Sequence, residues 1–411
     1  MKNILYINQY AGSDDFGMEF RPFYLAKEWV KQGHLVHIIA ASYSHTRVLN
    51  PNVVKDLDFN WINGIKYYWL KIPKYKKNNL LRLYGLLTFI VKLIYYKGFF
   101  SKNVKPDIVI ASSTYPLDVY PAYLIAKLNN ARLVYEAPDL YPLTLTSVAG
   151  ISKFNPFVIL LQYAEDFAYK KCDMVISVLC NAFEYMEKHG LEEHRYAYIP
   201  NGISVDDWRE KEELTFEISK LIKELKEDNC FLVGYAGYHG ILNCLTCLID
   251  TANILRENRI KFLLVGQGPE KVNLINASQE LDLKNIIFLH SLKKKMIPAF
   301  LEQMDALFIA FNDSSIYKYG VGTNKLLDYM MAGIPIVQSQ NAVNNLVEEC
   351  DCGISVPANN PVKTAEAILE LCKMSKMNRD EMGVRGKMHV INHFNYEDIS
   401  KQYLKKVFAD L

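Results

Sequence analysis

Short apolar runs alternate with amphipathic segments along almost the whole chain. The runs are rich in β-branched residues and have the length of buried strands, whereas the segments between them repeat apolar residues with a helical period. In the first half, the predicted strands cover residues 3–8, 35–41, 107–112, 132–137 and 173–178. Regular alternation of strands and helices predicts parallel β-sheets covered by helices, which is an α/β fold.

The pattern is interrupted near residue 200. A short strand runs into Pro200-Asn201-Gly202, which predicts a turn, and a charged helical segment follows at 210–228. The alternation then restarts, with predicted strands at 230–237, 260–266, 285–290, 305–310 and 334–339. A chain of 411 residues is too long for one ordinary core. We therefore predict two Rossmann-like domains, over 1–200 and 201–385, and a helical tail over 386–411 that packs back on the first domain.

Composition and charge narrow the possible functions only slightly. Half of the residues are hydrophobic, 22% are charged and the net charge is +2, so no global field indicates nucleic-acid binding. Cys244 and Cys247 lie in an amphipathic helical pattern, where cysteine acts as a small apolar residue. We therefore expect buried free thiols, no metal site and a reducing cytoplasm. The first apolar run, Ile4 to Ile7, is too short for a signal peptide.

Three glycine turns follow predicted strands of the second half. They are Gly237-Tyr238-His239-Gly240, Gly266-Gln267-Gly268-Pro269 and Gly320-Val321-Gly322-Thr323. Ligands of open parallel sheets bind at the carboxyl ends of strands, and glycine lets the backbone approach a ligand closely. None of the turns has the dinucleotide-binding or P-loop spacing. The turns therefore indicate a nucleotide or phosphate site that is not of the dehydrogenase type.

The block NKLLDYMMAG, residues 324–333, follows the last of these turns. Thr323 or Asn324 can begin a helix there, and Gly333 can end it. Asp328 then lies near the middle of the helix, either solvated or turned towards a ligand whose adjacent ribose hydroxyls it would bind. Lys325 leaves the same choice open, between a phosphate contact and a solvated lysine.

Three stretches together resemble the retaining glycosyltransferases of family 4. They are Ile199-Pro200-Asn201-Gly202, LLVGQGPE and NKLLDYMMAGIPIV. The resemblance runs in order through the whole chain and is strongest to the bacterial surface-polysaccharide branch that includes L-fucosamine transferases. It implies the GT-B fold, in which two Rossmann-like domains face a central cleft. It also implies a nucleotide-sugar donor, which we expect to be a UDP-sugar, that binds without a metal ion. It also implies that Asp328 binds the ribose and that the preceding loop holds the diphosphate and the sugar.

The chain departs from that family at two places. Gly320 stands where many members have a second acid, and the segment AGYHGILNCL lacks the arginine and lysine that usually follow the first strand of the donor half. We therefore expect helix N-termini, His239 or Lys325 to meet the diphosphate charge. The other residues expected in the donor site are Gly237, Gly240, Gly266, Gln267, Gly320, Gly322, Thr323 and Asn324.

The acceptor site is expected in the first half. Asp139, in PDLYP, matches the R-D-L-W-P motif of the branch, with Pro138 in place of arginine. It is expected to orient or deprotonate the acceptor hydroxyl, or alternatively to cap the following turn. Arg21 could pair with an acceptor phosphate or with its own helix. Glu19 could bind a sugar hydroxyl or favour the helix dipole, and Gly17 completes the expected acceptor set.

The segment from Lys71 to Pro106 contains nine basic residues and no acid, with aromatic residues between them. Basic amphipathic helices are typical of membrane surfaces. The longest apolar run is interrupted by lysines and is too short to span a bilayer. A core helix with a basic rim and a single-stranded nucleic-acid site are the alternatives. The residues expected to face the membrane are Lys74, Lys76, Lys77, Arg82, Lys92 and Lys97.

The resemblance implies a retaining glycosyltransferase without a metal or other cofactor, whereas the residues alone indicate a nucleotide ligand in a cleft of a two-domain protein. We expect it to use a nucleotide-sugar donor and a polyprenyl-diphosphate-linked acceptor in capsule, O-antigen or exopolysaccharide synthesis, on the cytoplasmic face of the inner membrane, with no nucleic-acid partner. A UDP-sugar epimerase of the same architecture and a non-catalytic nucleotide-sugar binding protein remain as alternatives.

Overall fold

The computed structural model describes residues 1–75 and 80–408, which form two compact units. Unit 1 comprises Met1–Asn201, Lys318–Gly322 and the segment from Tyr396 onward. Unit 2 comprises Gly202–Tyr317 and Thr323–Asn395. The chain therefore leaves unit 1 one residue after the predicted domain boundary.

Unit 1 is built on an eight-stranded sheet in the order β3-β4-β2-β1-β5-β6-β7-β8, parallel except for β3. Its strands are β1 (Asn3–Ile7), β2 (Leu35–Ala41), β3 (Asp58–Ile62), β4 (Ile65–Leu70), β5 (Ile108–Ala111), β6 (Arg132–Ala137), β7 (Met174–Ser177) and β8 (Tyr196–Tyr198). Its helices up to this point are α1 (Arg21–Lys31), α2 (Leu80–Tyr95), α3 (Lys97–Val104), α4 (Val119–Asn129), α5 (Leu143–Ser147), α6 (Pro156–Lys171) and α7 (Phe183–Lys188). The strand order reverses between β1 and β5, and ligands of such sheets bind at the carboxyl ends of strands at this point.

Unit 2 has a six-stranded parallel sheet in the order β11-β10-β9-β12-β13-β14. Its strands are β9 (Phe231–Ala236), β10 (Ile260–Val265), β11 (Ile286–Leu289), β12 (Ala306–Ala310), β13 (Ile336–Ser339) and β14 (Gly353–Val356). Its helices are α8 (Val205–Arg209), α9 (Phe216–Glu227), α10 (Leu245–Ile254), α11 (Lys271–Glu280), α12 (Ile297–Leu301), α13 (Asn324–Ala332), α14 (Leu346–Glu349), α15 (Pro361–Lys373) and α16 (Lys376–His393). The reversal of strand order lies between β9 and β12. The predicted α/β class with two Rossmann-like parallel sheets is confirmed.

Three strands were not predicted. β3 and β4 form a hairpin around Asn63 and Gly64, whose φ angles of 49° and 78° fit a type I′ turn. The Asn-Gly dipeptide is the sequence signal that could have located this hairpin. β14 is a four-residue strand without a distinctive apolar pattern.

The predicted boundary of the C-terminal tail at residue 386 is wrong. Residue 386 lies inside α16, which continues to His393 and belongs to unit 2. The chain returns to unit 1 with α17 (Tyr396–Val407), which packs on α1. The indole N–H of Trp29 donates to the carbonyl of Ser400 at 3.0 Å, and the rings of Tyr24 and Tyr396 stack 5.0 Å apart.

The apolar stretch after residue 80 is divided into two helices. α2 and α3 meet at a 55° bend. Within the described ranges no single helix is long and apolar enough to cross a membrane, although this bent pair meets the length and composition criteria when the two helices are taken together.

Candidate active site

Helix α13 confirms the helix predicted for the block at 324–333. Thr323 is its N-cap residue, although its side chain makes no capping hydrogen bond, and Asn324 is its first residue. Gly333 ends the helix in the left-handed region, with φ of +69°. Lys325 and Asp328 are three residues apart on this helix, so their side chains lie on the same face.

Asp328 is half-buried among side chains of unit 2. The indole N–H of Trp208 donates to its carboxylate, and the charges of Lys294 and Asp207 also act on it. Burial raises the pKa of Asp328 to about 6, although Lys294 and the Trp208 hydrogen bond both oppose the increase. The side chain is therefore not a freely solvated surface aspartate. It can accept hydrogen bonds from hydroxyl groups when ionised.

Lys325 is inserted beside the carboxyl end of β9. Its Nζ donates to the hydroxyl of Tyr235 at 3.0 Å and to Oδ1 of Asn243 at 2.5 Å, and it lies 4.6 Å from the centre of the Tyr235 ring. Burial lowers the pKa of Lys325 to about 7. No carboxylate of the described residues forms an ion pair with it. Lys325 therefore provides a half-buried amino group whose charged form lacks a negatively charged partner.

The glycine turns after β9 and β10 pack backbone to backbone. A Cβ at Gly266 would lie 1.9 Å from the carbonyl oxygen of Gly237, and a Cβ at Gly268 would lie 2.2 Å from that of His239. The backbone N–H of His239 also donates to the carbonyl of Gln267 at 2.9 Å. The expectation that these glycines clear space for a ligand is corrected, because the neighbouring protein backbone is what excludes a side chain at Gly266 and Gly268.

Two further glycines of this site have protein neighbours as well. A Cβ at Gly237 would lie 2.7 Å from Cε of Lys325, so glycine at 237 leaves room for the lysine. At Gly240 the nearest atoms belong to the ring of Tyr238, at 2.8 Å. The turn at 237–240 thus shapes the position of Lys325.

His239 does not meet the expectation of a cation for the diphosphate. It is fully buried, its ring lies beside Tyr235 and Phe288, and neither ring nitrogen has a hydrogen bond to a described residue. Burial lowers the pKa of His239 to about 4, and the charge of Lys271 acts in the same direction. The imidazole is therefore neutral at physiological pH.

Lys271 is a residue of this region that the sequence analysis missed. It is the first residue of α11, and its Nζ donates to the carbonyls of Gly266 at 2.8 Å and Leu289 at 2.6 Å. It thereby ties together the carboxyl ends of β10 and β11. Its position directly after the GQGPE turn is the signal that could have identified it.

The structure does not group Gly320 and Gly322 with the other two glycine turns. Both residues belong to unit 1. There the carbonyl of Gly322 accepts a hydrogen bond from Nδ2 of Asn201 at 2.6 Å, and a Cβ at Gly322 would lie 3.0 Å from the carbonyl oxygen of Val178. Gly320 has a φ of +105°, which suits glycine rather than the acid of the family pattern.

In unit 1, Asp139 lies just beyond the carboxyl end of β6. Its Oδ1 accepts the N–H of Leu140 and the hydroxyl of Thr144, both at 2.9 Å, so this oxygen fixes the following turn. Oδ2 makes no hydrogen bond to a described residue. Burial raises the pKa of Asp139, which makes the carboxylate a stronger base. The interpretation that Asp139 caps the following turn is thus supported for Oδ1. Oδ2 remains available to a ligand.

A cluster of aromatic rings and one guanidinium surrounds the same strand ends. The guanidinium of Arg82 lies 5.8 Å from the ring of Tyr10 and 5.7 Å from that of Tyr115, and its Nε donates to the Tyr10 hydroxyl at 3.4 Å. The rings of Tyr115 and Tyr141 are 5.3 Å apart. Because Tyr10 follows β1, Tyr115 follows β5 and Tyr141 follows Asp139, the cluster lies where the strand order reverses.

Glu19 is a further half-buried acid of unit 1. Burial raises its pKa, whereas a hydrogen bond from Asn8 and the charges of Arg47 and Arg82 lower it. Its electrostatic interaction with Arg82 connects it to the tyrosine cluster. Gly17 adopts a φ of +91° and forms backbone bridges with Ser13 and Arg47, so it shapes the loop.

Arg21 is engaged inside unit 1. It forms a buried ion pair with Glu136 at 3.2 Å and donates to the carbonyls of Ile199 at 3.1 Å and Pro200 at 2.6 Å. Glu136 also accepts hydrogen bonds from the hydroxyls of Tyr6 and Ser112. Arg21 therefore connects β6 to the loop after β8, and this position gives no support to the expected contact with an acceptor phosphate.

The basic residues between Lys71 and Pro106 are oriented differently from the membrane-facing arrangement that the sequence predicts. Lys92 forms an ion pair with Asp56 at 2.8 Å, and Arg82 faces the tyrosine cluster, so the polar side of α2 contacts the protein. The membrane contact expected of Arg82 and Lys92 is corrected accordingly. Lys97 donates to the carbonyl of Ile94. Lys74 is exposed, so its expected membrane contact stays a prediction. The expected contacts of Lys76 and Lys77 lie outside the described residues.

The opposite side of α2 is apolar and exposed. Five side chains spaced at three or four residues lie along it and are between 41 and 83% exposed: Leu80, Tyr84, Leu87, Val91 and Tyr95. Gly85, Phe89 and Leu93 are buried on the inner side. The helix therefore packs one apolar side against the protein and directs a second apolar face outward.

The described residues contain no group of three or more histidine, cysteine or acidic side chains arranged to hold a metal ion. All eight cysteines are free, and Cys244 and Cys247 are buried as the sequence analysis expects. The pKa of both thiols is raised by burial.

Comparison with known proteins agrees with this architecture. Residues 17–207 match the family described as Glycosyltransferase Family 4, and residues 231–374 match Glycosyl transferases group 1. The chain is 24% identical over 344 residues to a protein of Escherichia coli K12 described as a colanic acid biosynthesis glycosyl transferase, WcaI, with 80% of this chain and 82% of WcaI covered. It is 23% identical over 191 residues to the N-acetyl-alpha-D-glucosaminyl L-malate synthase of Bacillus anthracis, covering 46% and 48% of the two chains.

Among solved structures, Alr3699/HepE of Anabaena, in complex with UDP and glucose, is similar over the full length of both chains, with a TM-score of 0.70 and 15% identity. At this identity the likeness shows the fold. The two matched families and this fold together identify the chain as a glycosyltransferase of the GT-B type, with a family 4 domain followed by a group 1 domain.

Proposed function

We propose that the enzyme transfers a sugar from a UDP-sugar to a polyprenyl-diphosphate-linked saccharide during the synthesis of a bacterial surface polysaccharide. The observation that carries the proposal is the pair Lys325 and Asp328, which present an amine and a carboxylate on one face of α13. A nucleoside diphosphate requires both a positive charge for its phosphates and a hydrogen-bond acceptor for its ribose. The complex of Alr3699/HepE with UDP supports uridine as the nucleoside.

In this proposal Lys325 binds the diphosphate. The amine has neutral hydrogen-bond partners, Tyr235 and Asn243, which position it without neutralising its charge. A bound diphosphate would stabilise the protonated amine, and the amine would stabilise the negative charge that develops as the sugar departs. Because a protein cation supplies this charge, we propose that no divalent metal ion is required.

Asp328 accepts hydrogen bonds from the ribose hydroxyls. Two adjacent hydroxyls can donate to the two oxygens of one carboxylate. The hydrogen bond from Trp208 fixes its orientation and favours the ionised form. The assignment to the L-fucosamine transferase branch, and retention of configuration at the anomeric carbon, are further proposals that rest on the block from Asn324 to Gly333.

The acceptor is proposed to bind at the tyrosine cluster of unit 1. Oδ2 of Asp139 is available to accept the proton of a sugar hydroxyl, while Oδ1 is held by Thr144 and Leu140. Arg82 lies on the tyrosine rings close to the same strand ends and would contact the acceptor diphosphate. Glu19 would contact a sugar hydroxyl.

A lipid-linked acceptor agrees with the two faces of α2. Arg82 and Val91 are nine residues apart, which places them on opposite sides of the helix. A helix that inserts its outer apolar face into the headgroup region would carry Arg82 on its inner face, against the tyrosine cluster. Exposed lysines of α3 and its flanks, such as Lys102 and Lys105, would add attraction to anionic lipids of the cytoplasmic leaflet, at about 1 kcal/mol each.

The donor proposal is tested by calorimetric titration with UDP, GDP, ADP and CMP in the presence of EDTA. We expect selective binding of UDP that weakens about tenfold or more in Asp328→Ala, because the ribose hydroxyls lose their acceptor. Asp250→Ala is the matched control, since Asp250 is an exposed helical aspartate of the same unit. Equal UDP affinity in Asp328→Ala and the control, or selectivity for another nucleotide, would refute the donor assignment.

A further inference from the structure

A groove of about 450 Å³ in unit 1 lies outside the residues assigned to the transfer reaction. It is bordered by α5, by one face of α6 and by the end of α7, and its volume is in the range of small-molecule pockets. The side chains that carry its chemistry are Lys153, Gln162, Tyr163, Asp166, Tyr185 and His189.

The polar side chains of the groove hold one another in place. Oδ1 of Asp166 lies 3.0 Å from Nδ1 of His189 and 2.8 Å from Nε2 of Gln162. Nε2 of Gln162 also donates to Oε2 of Glu165 at 3.0 Å and lies 3.0 Å from Nδ1 of His189. When Nδ1 of His189 carries the ring proton it donates to Asp166, and Nε2 of the ring is then left to accept from another partner.

Glu165 supports this arrangement from the interior of the unit. It is fully buried and accepts the hydroxyls of Tyr169 and Tyr185, each at 2.8 Å, in addition to the amide of Gln162. Two residues of the groove are thereby fixed to one buried carboxyl group. Rigid support of this kind is what a preformed binding site requires.

Two acceptor atoms of the groove lie beside an exposed aromatic ring, and Lys153 adds a hydrogen-bond donor to the lining. Oδ2 of Asp166 and Nε2 of His189 have no hydrogen bond to a described residue, and both side chains are a little under one-third exposed. Next to them the ring of Tyr163 is 66% exposed and offers a flat apolar surface. Hydrogen-bond acceptors beside an open aromatic ring suit a ligand that has several hydroxyl donors and an apolar face.

We propose that this groove binds a saccharide, with one sugar ring on Tyr163 and adjacent hydroxyls donating to Asp166 and His189. One wall of the groove, α5, contains Thr144, the residue that holds Asp139, so the groove adjoins the end of the sheet that carries Asp139. The inference goes beyond the transfer reaction, and saccharide binding here does not require the donor assignment to be correct.

The test is saturation-transfer NMR and calorimetry with the full chain, without nucleotide, and with glucose, galactose, N-acetylglucosamine, lactose and cellobiose as probes. We expect at least one probe to bind and its affinity to fall about tenfold or more in Tyr163→Ala and in Asp166→Asn. Trp61→Ala is the matched control, because Trp61 is an aromatic residue of the same unit with a similar exposure of 64%. UDP affinity should be the same in all of these variants.

Tighter binding of a disaccharide than of its constituent monosaccharide would identify a glycan chain as the ligand, and equal binding would identify a free sugar. Both results support the site. The proposal is overturned if no probe binds, or if binding is unchanged in Tyr163→Ala and Asp166→Asn while their melting temperatures equal that of the wild type. Failure of UDP binding, by contrast, would refute only the proposed donor.

Discussion

Lys325 and Asp328 lie one turn apart on α13, and burial brings the pKa values of the two side chains close to each other, to about 7 for the lysine and about 6 for the aspartate. Each group is therefore only partly ionised near neutral pH in the free protein. A ligand that binds both side chains in their charged forms must shift the ionisation equilibrium of each towards that form. This makes the proposed donor site sensitive to pH in a predictable direction.

The affinity for a UDP-sugar should depend on pH with a maximum between about 6 and 7. Lys325 must be protonated to bind the diphosphate, so affinity should fall above the pKa of about 7, by about tenfold per pH unit. Asp328 must be ionised to accept two hydroxyls, so affinity should fall below about 6. Calorimetry with UDP-glucose between pH 5 and about 9 checks this profile, because its diphosphate diester does not titrate there.

Each of two single variants should remove one side of the pH profile of UDP-sugar affinity. Lys325→Met should abolish the decrease at high pH, and Asp328→Asn should abolish the decrease at low pH, both with weaker binding at the maximum. A profile that keeps its alkaline decrease in Lys325→Met would mean that another group controls diphosphate binding.

Trp208→Phe should move the acidic side of the profile to higher pH. The indole N–H stabilises the ionised form of Asp328, so its loss should raise the pKa of that carboxyl above about 6. The measurement is the midpoint of the acidic decrease in UDP-glucose affinity. A merely structural role of Trp208 would lower the melting temperature and leave this midpoint unchanged.

Lys325→Met should stabilise the protein at neutral and acidic pH. The pKa of Lys325 is lowered in the folded state from its unfolded value, 10.5, to about 7, so the unfolded state binds more protons between these two values. The cost of burying the amine is therefore fully present below pH of about 7 and disappears as the pH rises towards about 10.5. Thermal unfolding should show a higher melting temperature for the variant at pH 6 to about 7, and a difference that disappears near pH 10. An equal or lower melting temperature at pH 6 would contradict the buried position of the amine.

Membrane binding should depend on the outer face of α2 and not on Lys92. Val91→Glu adds a charge to the exposed apolar face and should reduce flotation with anionic vesicles by about tenfold, without unfolding the protein. Lys92→Met should instead remove the ion pair with Asp56 and cost about 1 kcal/mol of stability, with flotation retained. Flotation that is insensitive to Val91→Glu would argue against the α2 surface as the lipid contact.

Asp139→Asn should lower kcat by a factor of about 100 to 10,000 and leave UDP affinity unchanged, because it removes a proton acceptor from unit 1 only. Thr144→Val keeps the carboxylate but frees Oδ1, so a smaller loss is expected. The turnover of a UDP-sugar with a lipid-linked acceptor measures both effects. A reduction of equal size in both variants would indicate that Asp139 acts only by shaping the turn.

The sequence by itself determined the class of fold, the division near residue 200 and the helix from Asn324 to Ala332, because strand and helix periodicity and the Gly333 stop are local signals. The sequence also identified Lys325, Asp328 and Asp139 as candidate site residues. The hairpin at Asn63 and Gly64 was likewise present in the sequence, as an Asn-Gly turn signal. These features depend on neighbours along the chain.

Only the tertiary structure decided which side of each element is buried and which atoms meet. Arg21 and Arg82 are both basic residues near helix starts, yet one closes a buried ion pair with Glu136 and the other lies on a tyrosine cluster. The apolar period of α2 is equally compatible with a core helix, and only the packing of Phe89 and Leu93 shows that Val91 faces outward. The pKa shifts of Lys325 and Asp328 arise from burial in the folded unit. The side chains that contact them, Tyr235 and Trp208, are distant in the chain, so no local pattern could contain these shifts.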